Sequence, residues 1–280
     1  MGRTRKMRTA KMSYRSESFM ASVAARPLRI LAEYLDPLTR LRRENVADTI
    51  VMFGSARILP RDRAEKLLAR AKQGRLTKEK QQQVREAHRA VEMSRYYEEA
   101  RELARRITAW SLTLGTTPRR FVICSGGGPG IMEAANRGAI EAGGKSIGLN
   151  IQLPHEQGIN PYISPELSFN FHYFFMRKLW FSQVAKALIV FPGGFGTMDE
   201  LWEMLTLLQT GKLPRRNLIL IYGRRYWDDV MNWRAMLRWG TINESEYSLL
   251  HFADTVDEAY NFIKTGLEKY HMKMEDDWQW

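Results

Sequence analysis

Two glycine clusters and the charges around them are where this chain could do chemistry. One is Ser125-Gly126-Gly127-Gly128-Pro129-Gly130; the other is Pro192-Gly193-Gly194-Phe195-Gly196-Thr197. Turns without side chains let backbone N–H groups approach a phosphate, and a helix starting there adds the positive end of its dipole. Thr197 adds a hydroxyl donor. One such cluster is what any strand-to-helix turn favours; two at equivalent places point to an anion. Just past the second cluster stand Asp199, Glu200 and Glu203. Acids in a first helical turn complement the dipole anyway, yet Glu200, one turn in, would point toward whatever the loop holds. A carboxylate beside a bound sugar phosphate can orient water or stabilise positive charge developing on the sugar. Arg177-Lys178 brings cations to the same edge, although each alone is better read as a cap or a solvated charge.

Two familiar nucleotide motifs do not fit. A G-x-G-x-x-G pattern laid on residues 126–130 meets Ile131 or Met132 where its last glycine is needed, which argues against a dinucleotide site. Residues 139–146 (AIEAGGKS) imitate a relaxed phosphate-binding loop, but they run from a helix into a strand, the reverse of the required order.

The elements that must position these residues follow from the apolar pattern. Thr49–Phe53 is a short buried strand leaving into Gly54-Ser55. Arg120–Cys124, Lys145–Gln152, Leu188–Phe191 and Asn217–Tyr222 are further apolar runs. Helical patterns are expected at Ile131–Ala142, Met176–Ala187, Thr197–Thr210, Tyr226–Trp239 and Thr255–Lys269. Upstream, Glu17–Arg43 predicts one or two amphipathic helices with breaks at Pro27 and Pro37. Residues 62–113 predict a long charged helical stretch divided near Gly74 and Thr77. Continuous apolar strands alternating with helices imply an α/β fold, a doubly wound parallel sheet with helices on both faces. The expected organisation is a basic, partly helical extension over 1–45 and one Rossmann-like domain over 46–280, with a helical insertion at about 58–118. Ligands of such sheets bind beyond the carboxyl ends of the strands.

Composition narrows the classes. The chain has 280 residues, 44% apolar and 26% charged, as in a soluble globular protein. Its net charge of +12 is unevenly placed: residues 1–120 carry 28 basic and 13 acidic side chains, residues 121–280 carry 15 and 18. Such an excess raises nucleic acid as a partner, but long charged helices more often form a solvated or subunit-contacting face, so nucleic acid is not favoured. Cys124 is the only cysteine, which leaves no intrachain disulfide and fits a reducing, cytoplasmic setting. No apolar run is long enough to span a membrane. The acid-free first 16 residues read as a disordered basic tail rather than a transit peptide, and Lys6 stands where myristoylation needs Ser or Thr. The five histidines are scattered, so no metal site and no cofactor are expected.

The segments SGGGPGIMEAANRGA (125–139) and PGGFGTMDE (192–200), with MRK (176–178) between them, resemble the LOG ("Lonely Guy") family, often labelled "lysine decarboxylase". The resemblance covers roughly 47–225, interrupted by the helical stretch 58–118. It implies hydrolysis of the N-glycosidic bond of a nucleoside 5′-monophosphate, AMP or a cytokinin ribotide, to free base and ribose 5-phosphate. Arg177 and Glu200 match the family's catalytic pair. Glu156, Lys178, Gly193, Gly194, Gly196, Thr197 and Thr206 match substrate-contacting positions, joined by the glycine loop Gly126, Gly127 and Gly128. Gly54 and Ser55 match the first loop, which here continues with Ala56-Arg57 instead of another small residue. The resemblance further implies a homodimer or higher homo-oligomer with sites near subunit interfaces. The decarboxylase label would need a pyridoxal-phosphate lysine and its supporting residues, and no such set is marked in the sequence. A carrier of the same fold that binds a nucleotide or cofactor without turnover is the alternative.

Overall fold

The computed structural model describes residues 10–74, 77–154 and 158–272; most of the basic tail expected at the start lies outside them. The described residues pass through a 3-10 turn (Ser13–Arg15), α1 (Glu17–Met20) and α2 (Arg26–Arg43), enter the sheet at β1 (Thr49–Phe53), and leave through α3 (Arg61–Ala71) and α4 (Lys78–Thr113). There follow β2 (Val122–Ser125), α5 (Ile131–Glu141), β3 (Ser146–Ile151), β4 (Ser168–Phe171), α6 (Phe174–Val184), β5 (Ala185–Val190) and α7 (Phe195–Gln209). The last elements are β6 (Leu218–Tyr222), α8 (Arg224–Val230), α9 (Trp233–Arg238), α10 (Glu244–Tyr247), β7 (Leu250–Ala253) and α11 (Val256–His271).

The seven strands of the described residues are all parallel, in the order β4-β3-β2-β1-β5-β6-β7. Side chains alternate between the two faces, as the pleat requires. Ile50 and Met52 of β1 join a core closed by α4, α5 and α11, while Val51 and Phe53 join one closed by α2, α6 and α7. The sheet is therefore covered on both sides, and its central strands are buried at nearly every position. The chain walks outward from β1 to β4 and then returns to β5 on the other side of β1. That reversal opens a crevice above the carboxyl ends of β1 and β5, the place where open α/β sheets bind ligands.

Several expectations shift in detail. Thr77 does start the long helix, its hydroxyl accepting from Lys80 N at 3.2 Å. Pro27 lies in the first turn of α2 and Pro37 lies inside it, buried, without breaking it. Proline lacks the N–H that would bond the carbonyl four residues back. Here that carbonyl, Glu33 O, accepts from the Trp180 indole at 3.1 Å instead. The single helix expected over 226–239 is two, because Asn232 intervenes and caps α9 through Ala235 N. Edge strands β4 and β7 were not expected. Residues read as an insertion also reach the core: Tyr97, Leu103 and Ile107 of α4 are fully buried against the sheet, so the second half of that helix serves as the β1–β2 crossover.

Candidate active site

Three loops meet above β2, β1 and β5. Ser55 N donates to Pro192 O at 2.9 Å and Ile131 N donates to Ser55 O at 3.2 Å, so the Gly54-Ser55 turn braces both glycine clusters. In the first cluster Gly127 has φ of +73°, and a Cβ there would fall 2.1 Å from Asn150 Oδ1. Only glycine fits. Gly127 N donates to Ser125 Oγ at 3.0 Å, so this amide faces the protein and not a ligand. The loop is pinned from outside by Asn160, whose side-chain amide donates to Gly127 O, Gly128 O and Asn136 Oδ1 at 2.9–3.0 Å. Asn136 in turn accepts from Ser125 Oγ and donates to Ile147 O. Ser125, Asn136 and Asn160 are all buried, and a satisfied buried polar network of this kind fixes one conformation.

The second cluster is built differently. A Cβ on Gly193 would sit 2.1 Å from Thr197 Oγ1, whereas Cβ atoms on Gly194 or Gly196 would meet nothing within 4 Å. Among the described residues no side chain caps α7, and its first amides, at Gly194, Phe195, Gly196 and Thr197, precede the first intrahelical bond, from Met198 N to Gly194 O. Open space next to uncapped helix amides is what an anion needs. Gly193 O is held from below by the Tyr226 hydroxyl at 2.8 Å.

Arg177 and Lys178 on α6 face Glu200 on α7. Arg177 Nη2 lies 3.6 Å from Glu200 Oε1 and Lys178 Nζ lies 3.5 Å from Glu200 Oε2. Lys178 also reaches Asp199 at 3.0 Å and Glu203 at 2.7 Å. Arg177 sits over the rings of Phe174 and Phe181 and lies against the first glycine loop, its Nη1 3.9 Å from a Cβ built on Gly126. Glu200 is 2% exposed. Burial is the largest influence on it and lifts its pKa to about 7, although Lys178 and Arg177 pull the other way. Burial likewise lowers the pKa of Arg177, opposed by Glu200 and Asp199. Glu200 Oε1 and Arg177 Nε are both buried with no hydrogen-bond partner among the described residues. The pair is close enough to attract but not bonded, which leaves a carboxylate oxygen and a guanidinium N–H for something else.

Lys178 is committed to three carboxylates. Burial works against its charge, but hydrogen bonds to Glu203 and Asp199 outweigh that and raise its pKa. A lysine that condenses with the aldehyde of pyridoxal phosphate must lose its proton, so this lysine does not fit the group the decarboxylase label implies.

The structure thus gathers Gly54, Ser55, Gly126, Gly127, Gly128, Arg177, Lys178, Gly193, Gly194, Gly196, Thr197 and Glu200 at one end of the sheet. Glu156 lies outside the described residues. Thr206 lies apart, two turns down α7, where it lines a separate cavity of about 180 Å³ with Trp202 and Trp233. Sequence reasoning missed Asn136 and Asn160, which hold the first loop, and Glu33, whose carboxylate accepts from His172 N at 2.8 Å and Tyr173 N at 3.3 Å just before α6. The one signal for Glu33 is that it is one of two acids, with Asp36, in a predominantly basic amphipathic helix.

A family described as "Possible lysine decarboxylase" matches residues 132–263. No curated protein matches the chain. Among solved structures, the molybdenum cofactor binding protein from the phototrophic bacterium Rippkaea orientalis is similar at 17% identity and a TM-score of 0.42, over 61% of this chain and 86% of that one. A Moco carrier protein from Chlamydomonas reinhardtii is similar at 20% identity and a TM-score of 0.44, over 79% of this chain and 99% of that one.

Proposed function

We propose that the protein, whose residues 132–263 match the family described as "Possible lysine decarboxylase" and whose glycine-loop segments resemble the LOG family, hydrolyses the N-glycosidic bond of a nucleoside 5′-monophosphate. The observation that carries the reading is Glu200, a buried carboxyl beside two cations and one turn inside an uncapped glycine-loop helix, with burial pushing its pKa up to about 7. The 5′-phosphate is held by the α7 amides and the Thr197 hydroxyl, and this remote binding positions the ribose. As the C1′–N bond breaks, its electron pair leaves with the base, which takes up a proton from solvent, to which Glu200 afterwards returns the one it takes from water. Positive charge spreads over C1′ and the ring oxygen, facing the Glu200 carboxylate. The same carboxylate accepts a proton from water as its oxygen bonds to C1′, giving ribose 5-phosphate. Arg177 offers its unpartnered Nε–H to the departing base or a ribose hydroxyl.

The test is release of free base from AMP, an adenine cytokinin ribotide and a pyrimidine nucleotide assayed side by side. Adenine release from AMP that is lost in Glu200→Ala supports the reading. Stoichiometric AMP binding with no free base in the native chain would favour a carrier and sink it.

A further inference from the structure

The charge on α3 and α4 is not used by the site. α3 lies antiparallel along the first half of α4: Arg61 N donates to Glu98 Oε1 at 3.0 Å at one end, and Lys80 Nζ reaches Arg70 O at 3.4 Å toward the other. The buried residues of this hairpin include alanines, Ala64, Ala71 and Ala87, so the helices approach closely and turn their long side chains outward.

The two halves of α4 treat their cations in opposite ways. In the second half every arginine from 101 onward is ion-paired: Arg101 with Glu141, Arg105 with Glu102, Arg106 with Glu102 and Asp257. In the hairpin, Arg63, Arg70, Lys72, Lys78, Arg85 and Arg89 are all exposed, and among the described residues none has a carboxylate partner. Lys78, Arg85 and Arg89 fall at i, i+7 and i+11, which places them within about 40° of arc on one side of the helix, over roughly 16 Å of its length. Arg63 and Arg70 repeat the i, i+7 spacing on α3.

We infer that this hairpin docks on the phosphate backbone of duplex nucleic acid. A row of unpaired cations on a rigid rod matches an evenly spaced row of phosphates. Residues 61–95 contain no Phe, Tyr or Trp, so the stacking platforms of single-strand binders are missing. Among the described residues, Leu67 is the one large apolar side chain prominently exposed on the hairpin, too little apolar surface for insertion into a membrane interface. The contact carries no base readout and is independent of nucleotide hydrolysis.

The experiment is fluorescence anisotropy of a labelled DNA duplex of about 24 base pairs with the full chain, from ~50 to ~200 mM NaCl. Expected is binding whose log K falls with log salt at a slope near −5, as for about five or six neutralised phosphates. The triple variant Lys78→Ala, Arg85→Ala, Arg89→Ala should make that slope shallower by about 2 to 3. A control Lys212→Ala, on an exposed loop elsewhere, should leave it within one contact's worth. Absence of binding at ~50 mM salt, an unchanged slope in the triple variant, or competition by poly-L-glutamate as effective per charge as unlabelled duplex would each overturn the inference. The triple variant should hydrolyse nucleotide like the native chain, so failure here and failure of the hydrolase reading are separable.

Discussion

Each end of the sheet holds a buried carboxylate beside an arginine, and the two pairs are finished to different degrees. At the amino ends, Asp48 accepts from Arg120 Nε at 2.6 Å and from Phe121 N at 2.5 Å, and Arg120 donates onward to His271 O at 3.0 Å. At the carboxyl ends, Glu200 and Arg177 sit 3.6 Å apart, each with a buried polar atom left over. Both carboxyls have pKa values raised first of all by burial. A completed pair is a structural joint; an incomplete one, at the crevice where ligands bind, is a poised group. Stability is invested at one end and left uncollected at the other.

The largest effects should separate the ends by kind. Glu200→Gln should cut base release roughly a thousandfold while the protein stays folded, checked by free-base chromatography and urea denaturation. Asp48→Asn should do the reverse, losing about 3 kcal/mol of stability because Arg120 is stranded, at the low end of the range for broken buried pairs since Arg120 keeps some solvent contact. Its residual kcat, measured well below the unfolding transition, should be near native. If Asp48→Asn instead abolished turnover in a folded protein, the distinction between the ends would collapse.

A pH series sharpens it. Folding raises the Glu200 pKa from 4.5 to about 7, so the folded state holds this proton more tightly than the unfolded one. The resulting stability is complete below about pH 4.5 and is lost as pH rises through 7, of the order of 3 kcal/mol in all. Glu200→Gln should remove that slope, and at about pH 8 should be more stable than the native chain. Activity runs the other way, rising with pH as the carboxylate forms. The groups facing Glu200 are Arg177 and Lys178 on α6 and Asp199 and Glu203 on its own helix. Lys178→Met removes one of the two cations that hold the carboxylate ionised, and should move the activity midpoint up by about half a unit to one unit. A midpoint that did not move would mean Lys178 only ties down α7.

How much of this was legible in the sequence depended on range. The glycine loops, the five central strands and the α3–α4 division are local signals, carried by apolar runs, Gly clusters and the Thr77 cap. β4 and β7 were not, because each is a four-residue edge strand with partly exposed positions such as Asn170 and His251. Such strands are made by their neighbours more than by their own residues. Glu200 and Arg177 could be named from a motif, but their unfinished pairing could not, since it depends on how α6 and α7 face each other. Asn160 was invisible for the same reason: it reaches Gly127 across 33 positions. Pro37 read as a break because the Trp180 indole that answers its missing hydrogen bond comes from 147 positions beyond Glu33.

The smallest predicted effect tests whether the first 45 residues merely accompany the site. Through its main chain Glu33 accepts from Trp180, and through its carboxylate from the two amides that lead into α6. A negative charge there also complements the helix dipole. Arg177 and Lys178 lie within the first turn and a half of that helix, so α2 sets where they stand relative to Glu200. Glu33→Gln keeps an acceptor but loses the charge, at a cost of about 1 kcal/mol. Because Glu33 touches no substrate, kcat should fall by a few fold with KM for AMP unchanged, and Glu33→Asp should recover part of the loss. A change in KM alone, or stability loss with kcat intact, would confine α2 to packing and leave the Glu200 end of the sheet to be positioned by α7 and the glycine loops.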